Sequence, residues 1–476
     1  MKILLINPPR VDGYPVVREE RFEHKDIGSI YPPLSLLHTA ALLEKEGYEV
    51  GLIDANGFNF DLAKVEEEIN DFKPDLVIAR CAFDTQKDDL QVLKLAKKAG
   101  AVTVLRNQIV SRVPKIREQL LLENRFVDVF LNQEPESLVI KLAKTLEEGE
   151  SLKRVPGISF RQGTKIDTNP DMEKLIDVNQ LPLPAYHLLP SLKVYYSGTY
   201  GPPFVTVLGS RGCPFNCSFC TYSRTGYRKR DPEKIVEELV WLTKRWGISE
   251  FYFWDEVVTL DDERMIEICR LINKNNLKLR WTAALRADGV SYPLLKAMRE
   301  AGCDEIAIGI ESGSEKVLRK TGKGISLNQV RGVAQLCHQL KIKFYAMFVL
   351  GLPGETRETV AESIKFAKEL KSFYTQFCFA TPFPNTRIYQ YYKRNGLLLT
   401  EDWSHYFPLN EKPVIRTKAL TAQELMVLRN QAYRAMLFDW RYLINQVSLT
   451  DWKYNWRGLR QITKRLMATA LFKPVR

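Results

Sequence analysis

Cys213-Pro-Phe-Asn-Cys217-Ser-Phe-Cys220 brings three cysteines close together, directly after a short β-like run that begins at Phe204. Three thiolates at this spacing can bind three irons of a [4Fe–4S] cluster and leave the fourth iron without a protein ligand. Such an iron has coordination sites to offer to a small molecule. The stretch therefore predicts a loop that follows a strand and holds a redox cluster.

Two other uses of these cysteines were weighed. A zinc site needs a fourth ligand, usually nearby, yet the nearest histidines in sequence are His187 and His338; zinc stays an alternative only with a distant ligand. Disulfides belong to secreted proteins, and the apolar run at the amino terminus is too short for a signal peptide. The remaining cysteines stand alone and predict no second cluster: Cys81, Cys269, Cys303, Cys337 and Cys378.

Length and composition limit the class of protein. A chain of 476 residues should form two or three domains. With 45% hydrophobic and 26% charged residues it is neither disordered nor embedded in a membrane, and no run reaches the roughly 18 apolar residues of a membrane span. The net charge of +12 favours an anionic partner, namely nucleic acid, lipid or a metabolite.

The first 150 or so residues alternate strand-like and helix-like patterns. This alternation predicts an α/β domain over 1–150 with five parallel strands, doubly wound like flavodoxin, in which ligands bind beyond the carboxyl ends of the strands. The predicted strands are Lys2–Asn7, Tyr48–Asp54, Asp75–Arg80, Val102–Arg106 and Asp128–Leu131. The predicted helices are Leu34–Lys45, Asp61–Phe72, Asp88–Lys98, Pro114–Glu123 and Glu136–Glu147.

A turn-rich linker is predicted over 151–200, and a second alternation over 201–400. Six βα units there predict a partial (β/α)6 barrel with a lateral opening, since a closed barrel has eight. A helical, basic carboxyl-terminal region follows over 401–476. The predicted barrel strands are Phe204–Leu208, Glu250–Trp254, Lys278–Ala283, Glu305–Gly309, Lys343–Val349 and Phe373–Ala380.

The cysteine order, with an aromatic residue before the last cysteine, resembles the radical S-adenosylmethionine (SAM) enzymes. Downstream motifs at predicted strand ends extend the resemblance, although each could alone be a turn or a helix cap. The resemblance implies that Cys213, Cys217 and Cys220 bind the cluster and that SAM is cleaved reductively to a 5′-deoxyadenosyl radical. It implies these candidates around SAM: Phe219, Asp255, Glu311, Ser312, Gly351, Gly354 and Glu355.

The amino-terminal region resembles the cobalamin-binding domain that precedes many radical SAM barrels, through Ile6-Asn7-Pro8-Pro9, Tyr31-Pro32-Pro33-Leu34-Ser35-Leu36 and Gly47-Tyr48-Glu49-Val50. The match has three departures, one of which is Gln133-Glu134-Pro135-Glu136 in place of the Gly-Glu-Gly-Glu pattern expected after the fifth strand. The Gly-rich turn expected after the fourth strand is replaced by Arg106-Asn107-Gln108-Ile109-Val110, and the D-x-H-x-x-G signature is absent, so the sequence identifies no histidine as cobalt ligand. Cobalamin is the expected cofactor, and a domain that has lost it is the alternative.

This architecture implies methylation of an unactivated carbon of a small-molecule or lipid substrate, with electrons from a donor such as flavodoxin or ferredoxin. Cyclisation or ring contraction in tetrapyrrole or isoprenoid lipid biosynthesis is the alternative among relatives. A tRNA methylthiotransferase would need three cysteines in its first domain, where only Cys81 lies, which also makes nucleic acid an unfavoured partner. A non-catalytic protein that binds a cluster or cobalamin is a further alternative.

Apolar and basic residues alternate at helical spacing from Trp452 to Leu471. Such a helix can lie on an anionic membrane surface or pack on the barrel with its basic face in water. We therefore expect a cytoplasmic protein, with peripheral contact at the inner face of the membrane as an alternative.

Overall fold

The computed structural model describes residues 1–20, 23–26 and 28–439. By its internal contacts the chain divides into two units. The first contains residues 1–197 with 202–205, and the second contains 198–201 and the chain from Thr206 onward. The amphipathic helix expected over Trp452–Leu471 lies outside the described residues.

The first unit is built on a parallel sheet with helices between its strands. Its strands are β1 (Lys2–Asn7), β2 (Val16–Arg18), β3 (Glu23–Lys25), β4 (Glu49–Asp54), β5 (Leu76–Arg80), β6 (Val102–Arg106), β7 (Val129–Leu131), β8 (Ile158–Gln162) and β9 (Lys165–Thr168). Its helices are α1 (Leu34–Lys45), α2 (Ala55–Phe58), α3 (Leu62–Phe72), α4 (Gln86–Lys98), α5 (Gln108–Ser111), α6 (Pro114–Glu123) and α7 (Pro135–Glu147).

The main sheet has the order β4-β1-β5-β6-β7-β8-β9. The first five strands in this order are parallel, and they reproduce the doubly wound arrangement that the sequence predicts. The strands form because β1 and β5 are near-continuous apolar runs, as expected for strands covered on both faces. Ile3, Leu5 and Ile78 lie in a core with helices α1 and α7.

Two antiparallel hairpins go beyond the prediction. Strands β8 and β9 extend the main sheet antiparallel to β7, so part of the stretch expected to be a linker belongs to the first unit. The short hairpin β2–β3 lies between β1 and α1 in the chain and pairs Val17 with His24. Its acidic side chains contact the carboxyl ends of the parallel strands, through Glu20 and Glu23.

The second sheet has six strands in the order β10-β13-β14-β15-β16-β17. They are β10 (Phe204–Val207), β13 (Glu250–Phe253), β14 (Arg280–Leu285), β15 (Cys303–Glu311), β16 (Lys343–Leu350) and β17 (Tyr374–Phe379), and a ribbon of β11 (Ser210–Arg211) and β12 (Arg228–Lys229) follows β10. The helices are α8 (Pro232–Trp246), α9 (Asp262–Lys274), α10 (Tyr292–Glu300), α11 (Glu315–Thr321), α12 (Leu327–Leu340), α13 (Arg357–Leu370), α14 (Arg387–Arg394) and α15 (Ala422–Leu437).

The strands from β13 to β17 pair in parallel and in chain order, as the predicted partial barrel requires. Aromatic rings fill the amino-terminal part of this sheet: Trp281 stacks on Phe251 with ring centroids 6.0 Å apart. The carboxyl ends of the strands carry the candidate site, as in other βα barrels. Among the helices that the structure describes, none has both the length and the apolar character that a bilayer crossing requires.

Candidate active site

The three cysteines lie in one loop that the β11–β12 ribbon closes at its base. Inside the loop, the N–H of Thr225 donates to the carbonyl of Cys213 (3.0 Å), and the N–H of Arg224 donates to the carbonyl of Phe215 (2.9 Å). Gly212 has φ +86°, and a Cβ there would lie 2.1 Å from the carbonyl oxygen of Gly226. Only glycine therefore permits the loop to begin in this way.

Two carboxylates at the end of β13 anchor the start of the cysteine loop. Asp255 is fully buried and accepts from the N–H of Gly209 (2.7 Å) and the hydroxyl of Ser210 (2.6 Å). Burial raises the pKa of Asp255, while these hydrogen bonds and Arg264 oppose the rise. The neighbouring Glu256 accepts from the N–H of Gly212 (3.0 Å). Because both oxygens of Asp255 are occupied, this residue supports the loop.

The thiols are buried or half-buried and none forms a disulfide. Burial raises the pKa of Cys213 and Cys217, and raises that of Cys220 to about 12. The positive charges of Lys323 and Arg286 oppose the rise at Cys217, and Arg286 donates to its Sγ (3.6 Å). Since iron binds the thiolate form, these cations favour the state of Cys217 that a cluster needs.

A network of charges joins the ends of β14 and β15 beside Cys217. The ammonium of Lys323 contacts the Glu311 carboxylate (2.5 Å) and donates to the carbonyl of Gly309 (2.6 Å). Arg286 donates to the carbonyl of Lys323 (2.5 Å) and places its guanidinium 3.5 Å from the ring centroid of Phe215. Glu311 adopts φ +70°, which is unusual for a residue with a side chain. The network places Glu311 beside the cysteine loop.

Sequence reasoning missed Arg286 and Lys323. The available signal was their position, because Arg286 follows β14 directly and Lys323 stands between two glycines, Gly322 and Gly324, after α11. A cation at the carboxyl end of a barrel strand is a candidate functional residue on that ground alone.

The other candidates are placed differently. Ser312 is fully buried, with its Oγ 3.3 Å from the Oγ of Ser363 in α13. Gly351 donates its N–H to the carboxylate of Glu355, whose pKa burial raises to about 8; the second oxygen of Glu355 has no hydrogen-bond partner. Gly354 forms the turn between them, with φ +87°, and Phe219 is half-buried in the loop. Gly351, Gly354 and Glu355 thus form one compact turn after β16.

The geometry also bears on the kind of metal group. Within residues 1–20, 23–26 and 28–439, no group of three or more histidine, cysteine, aspartate or glutamate side chains is arranged to hold a single metal ion. A tetrahedral zinc ion needs such convergence. Each iron of a four-iron cluster takes its own thiolate, and the three free cysteines of this loop are ligands of that kind.

Comparison with known proteins identifies the superfamily to which the barrel belongs. The Radical SAM superfamily model matches residues 207–367. A protein named as an uncharacterised methyltransferase of Pyrococcus horikoshii is 32% identical over 94% of this chain and 95% of its own. An anaerobic magnesium-protoporphyrin IX monomethyl ester cyclase of Cereibacter sphaeroides is 27% identical over 84% of this chain and 66% of its own. The chain therefore belongs to the radical SAM superfamily, whose cofactors are a [4Fe–4S] cluster and SAM, and it is an enzyme.

The fold of nearly the whole chain is also similar to that of a solved protein. The solved structure of OxsB, a cobalamin-dependent SAM radical enzyme, matches 99% of this chain and 76% of its own at 18% identity, with a TM-score of 0.71. That likeness covers both sheets. The chain therefore shares the two-part fold of that enzyme, in which a parallel α/β sheet precedes the barrel in the sequence.

Proposed function

We propose that this enzyme cleaves SAM at a [4Fe–4S] cluster held by Cys213, Cys217 and Cys220, and that with cobalamin it methylates an unactivated carbon of an organic substrate. The observation that carries the proposal is the closed loop with three free thiols at the carboxyl end of β10. When bound, the cluster supplies the electron that breaks the C5′–S bond of SAM, and cobalamin carries the methyl group.

The residues of the barrel divide into three tasks. The cysteines ligate iron, and three ligands for four irons leave one iron to bind SAM. Asp255 and Glu256 hold the loop at its first turn. Arg286 and Lys323 place positive charge at Cys217 and thereby stabilise its thiolate and the net negative charge that thiolates give a cluster.

Glu311 is the strongest of the candidates for SAM contact. It lies at the end of β15, where its carboxylate contacts Lys323 (2.5 Å). Arg286 joins this lysine to the cysteine loop, since it donates to the Lys323 carbonyl and to the Cys217 sulfur. Ser312 and Glu355 have backbone or side-chain partners inside the fold, so we assign them, with Gly351 and Gly354, to shaping the strand ends around SAM. Phe219 lies between two of the ligands and is a candidate to shield the cluster.

Cobalamin fits the carboxyl edge of the first sheet. Buried polar atoms there lack a hydrogen-bond partner at three successive strand ends: Oδ1 of Asp84 after β5, Nε2 of Gln108 after β6 and Nδ2 of Asn132 after β7. Buried polar atoms are rarely left unpaired in a finished fold, and a corrinoid carries peripheral amides that can pair with them. His38 is buried with its Nδ1 3.2 Å from the carbonyl of Pro182, and it packs inside the first unit.

Methylation is preferred to cyclisation because the relative that covers nearly all of this chain is named a methyltransferase. The cyclase matches a smaller part of its own length and remains the second candidate. SAM with a deuterated methyl group separates the two, since a methyltransferase passes the label to corrinoid and product, whereas a cyclase leaves the product unlabelled.

The direct test is anaerobic purification with cobalamin supplied, followed by iron, sulfide and corrinoid analysis and an assay for 5′-deoxyadenosine under reduction. We expect one four-iron cluster per chain, bound corrinoid, and 5′-deoxyadenosine that depends on the reductant. A protein that binds the cluster and cleaves SAM without corrinoid would remove the cobalamin part of the proposal. A protein that does not cleave SAM would contradict all of it.

A further inference from the structure

A cavity of about 560 Å³ opens in the second unit beside the cysteine loop. Residues from five separate segments line it, among them Ser218, Lys320, Gly354, Arg387, Tyr391 and Lys418. Neither the cluster ligands nor Glu311 are among the lining residues. Gly354 and Glu355, which we assign to shaping the strand ends around SAM, form one side of the cavity, whereas its basic residues have no role in the proposed chemistry.

One wall of the cavity is the cysteine loop itself. Ser218, which follows Cys217 directly, donates its N–H to the carbonyl of Thr321 (2.7 Å), and its carbonyl accepts from the N–H of Ile388 (3.0 Å). Arg387 also donates to the carbonyl of Asn216. The wall is thus fixed to the ends of α11 and α14, and the chain that forms it carries a cluster ligand one residue away.

The rim of this cavity is positive. Lys320, Arg387 and Lys418 are exposed, and in the part of the chain that the structure describes neither lysine forms an ion pair with a carboxylate. The Lys320 ammonium lies against Gly354, where an added Cβ would approach its Nζ to 2.3 Å. The one acid in the lining, Glu355, is only 1% exposed, so it offsets little of the positive potential seen from solvent.

We infer that this rim is the docking surface of an acidic electron-donor protein of the flavodoxin type. The inference rests on the proposed function, because a cluster that cleaves SAM must be reduced by one electron from outside the chain. The donor's reduced flavin loses that electron and the oxidised cluster gains it, with no bond made or broken in this protein.

Charge complementarity and position both support this partner. A positive rim attracts an acidic protein, and such attraction between opposite charges raises the association rate constant by 10-fold or more at low salt. The cysteine loop forms the cavity wall, so a donor seated there lies next to the backbone that carries Cys217. The concave shape suits a partner that presents a protruding cofactor edge.

The test compares two double variants of the reconstituted, full-length protein. In K320E/K418E the rim is reversed in charge. The matched control K274E/K278E reverses two exposed lysines at the carboxyl end of α9 and just before β14, which lie toward the amino ends of the strands. Stopped-flow absorbance follows reduction of the cluster by an acidic flavodoxin hydroquinone at low and high salt, and photoreduced 5-deazaflavin serves as a small reductant.

We expect K320E/K418E to slow reduction by flavodoxin by about 10-fold or more at low salt, and to weaken the salt dependence, because surface charge acts through screened steering. The control variant and the reaction with 5-deazaflavin should match the wild type. An unchanged rate with flavodoxin would overturn the inference, and so would equal slowing with both reductants, which indicates a damaged loop. Charge dependence with an acidic ferredoxin alone would overturn the choice of flavodoxin. If the wild type with 5-deazaflavin yields no 5′-deoxyadenosine, the proposed function itself has failed.

Discussion

The carboxyl edges of the two sheets both carry buried charged side chains, but these side chains contact different groups. In the first sheet, the arginines that end β5 and β6 pair with an acid that follows β2, since Arg80 and Arg106 both contact Glu20. Arg18 of β2 itself contacts Asp89 of α4 (2.6 Å). In the barrel, Arg286 and Lys323 lie beside a thiol. The first edge pairs its arginines with acids and leaves the side-chain amide nitrogens of Gln108 and Asn132 without partners. At the barrel edge Lys323 is paired as well, with Glu311, but it and Arg286 also act on Cys217.

The difference also appears in how burial acts on acids. Burial opposes ionisation of Glu20, but the guanidinium groups of Arg106 and Arg80 outweigh it and lower the pKa of that carboxyl. Glu355 in the barrel has no arginine, and burial raises its pKa to about 8. Burial likewise raises the pKa of Glu23 at the first edge to about 8, so each edge holds a carboxyl that favours its neutral form. The first edge differs in the ion pairs that keep Glu20 ionised.

The largest effect is expected from Cys217→Ala. Loss of one of three iron ligands should abolish both the cluster and 5′-deoxyadenosine formation, because the loop supplies no replacement thiol. Iron and sulfide analysis, with product detection by mass spectrometry, measures both. The control Cys337→Ala removes a fully buried lone thiol in α12 and should keep the cluster. A cluster retained in the Cys217 variant would show that the barrel edge does not bind iron through this thiol.

The next largest effect is expected at the first edge. Arg80→Met leaves Glu20 and Glu23 without one of their cations in a buried site, and breaking a buried ion pair in this way costs about 3–5 kcal/mol. Denaturant unfolding followed by circular dichroism measures the loss. Arg270→Met, which breaks an exposed pair with Glu267 in α9, should cost less than about 1 kcal/mol; equal losses would show that the buried network has no special weight.

A smaller, pH-dependent effect is expected at Glu355. Its folded pKa of about 8 lies above the usual value of 4.5 for a glutamate, so the native state holds a proton that the unfolded chain releases. Stability must then fall as pH rises from about 4.5 to 8. Glu355→Gln should remove a few kcal/mol of this fall, given about 1.4 kcal/mol per pKa unit. Unfolding free energies at pH 5 and pH 9 test it, and an unchanged slope would contradict the assignment of a neutral carboxyl.

The smallest effect is expected from Gln108→Leu. Its Nε2 is buried without a partner, so the substitution should leave the stability of the corrinoid-free protein unchanged or slightly higher. It should weaken cobalamin binding by about 10-fold, the worth of one hydrogen bond. Titration of cobalamin against both proteins measures the affinity, with Gln119→Leu on exposed α6 as control. Equal affinities would mean that cobalamin does not use this edge.

Much of the fold follows from the sequence because strands β1 and β6 and helix α1 have strong local patterns, and their predicted bounds match the structure. The sequence predicts a linker where the β8–β9 hairpin lies, because both strands are short and partly exposed and turn-forming residues flank them. The cysteine loop was visible in the sequence, yet the roles of Arg286 and Lys323 were not, because they depend on contacts between separate strand ends. The ion pairs around Glu20 could not be predicted from the sequence for the same reason.

The central claim is that one cluster iron has no protein ligand and binds SAM. Electron–nuclear double resonance of the reduced, reconstituted protein with SAM labelled with ¹⁵N in its amino group and ¹⁷O in its carboxylate tests it directly. The account predicts hyperfine coupling of both labels to the cluster, and its loss when SAM is omitted. Absence of coupling in a protein that holds a complete four-iron cluster would show that SAM does not bind the fourth iron, and would contradict this claim.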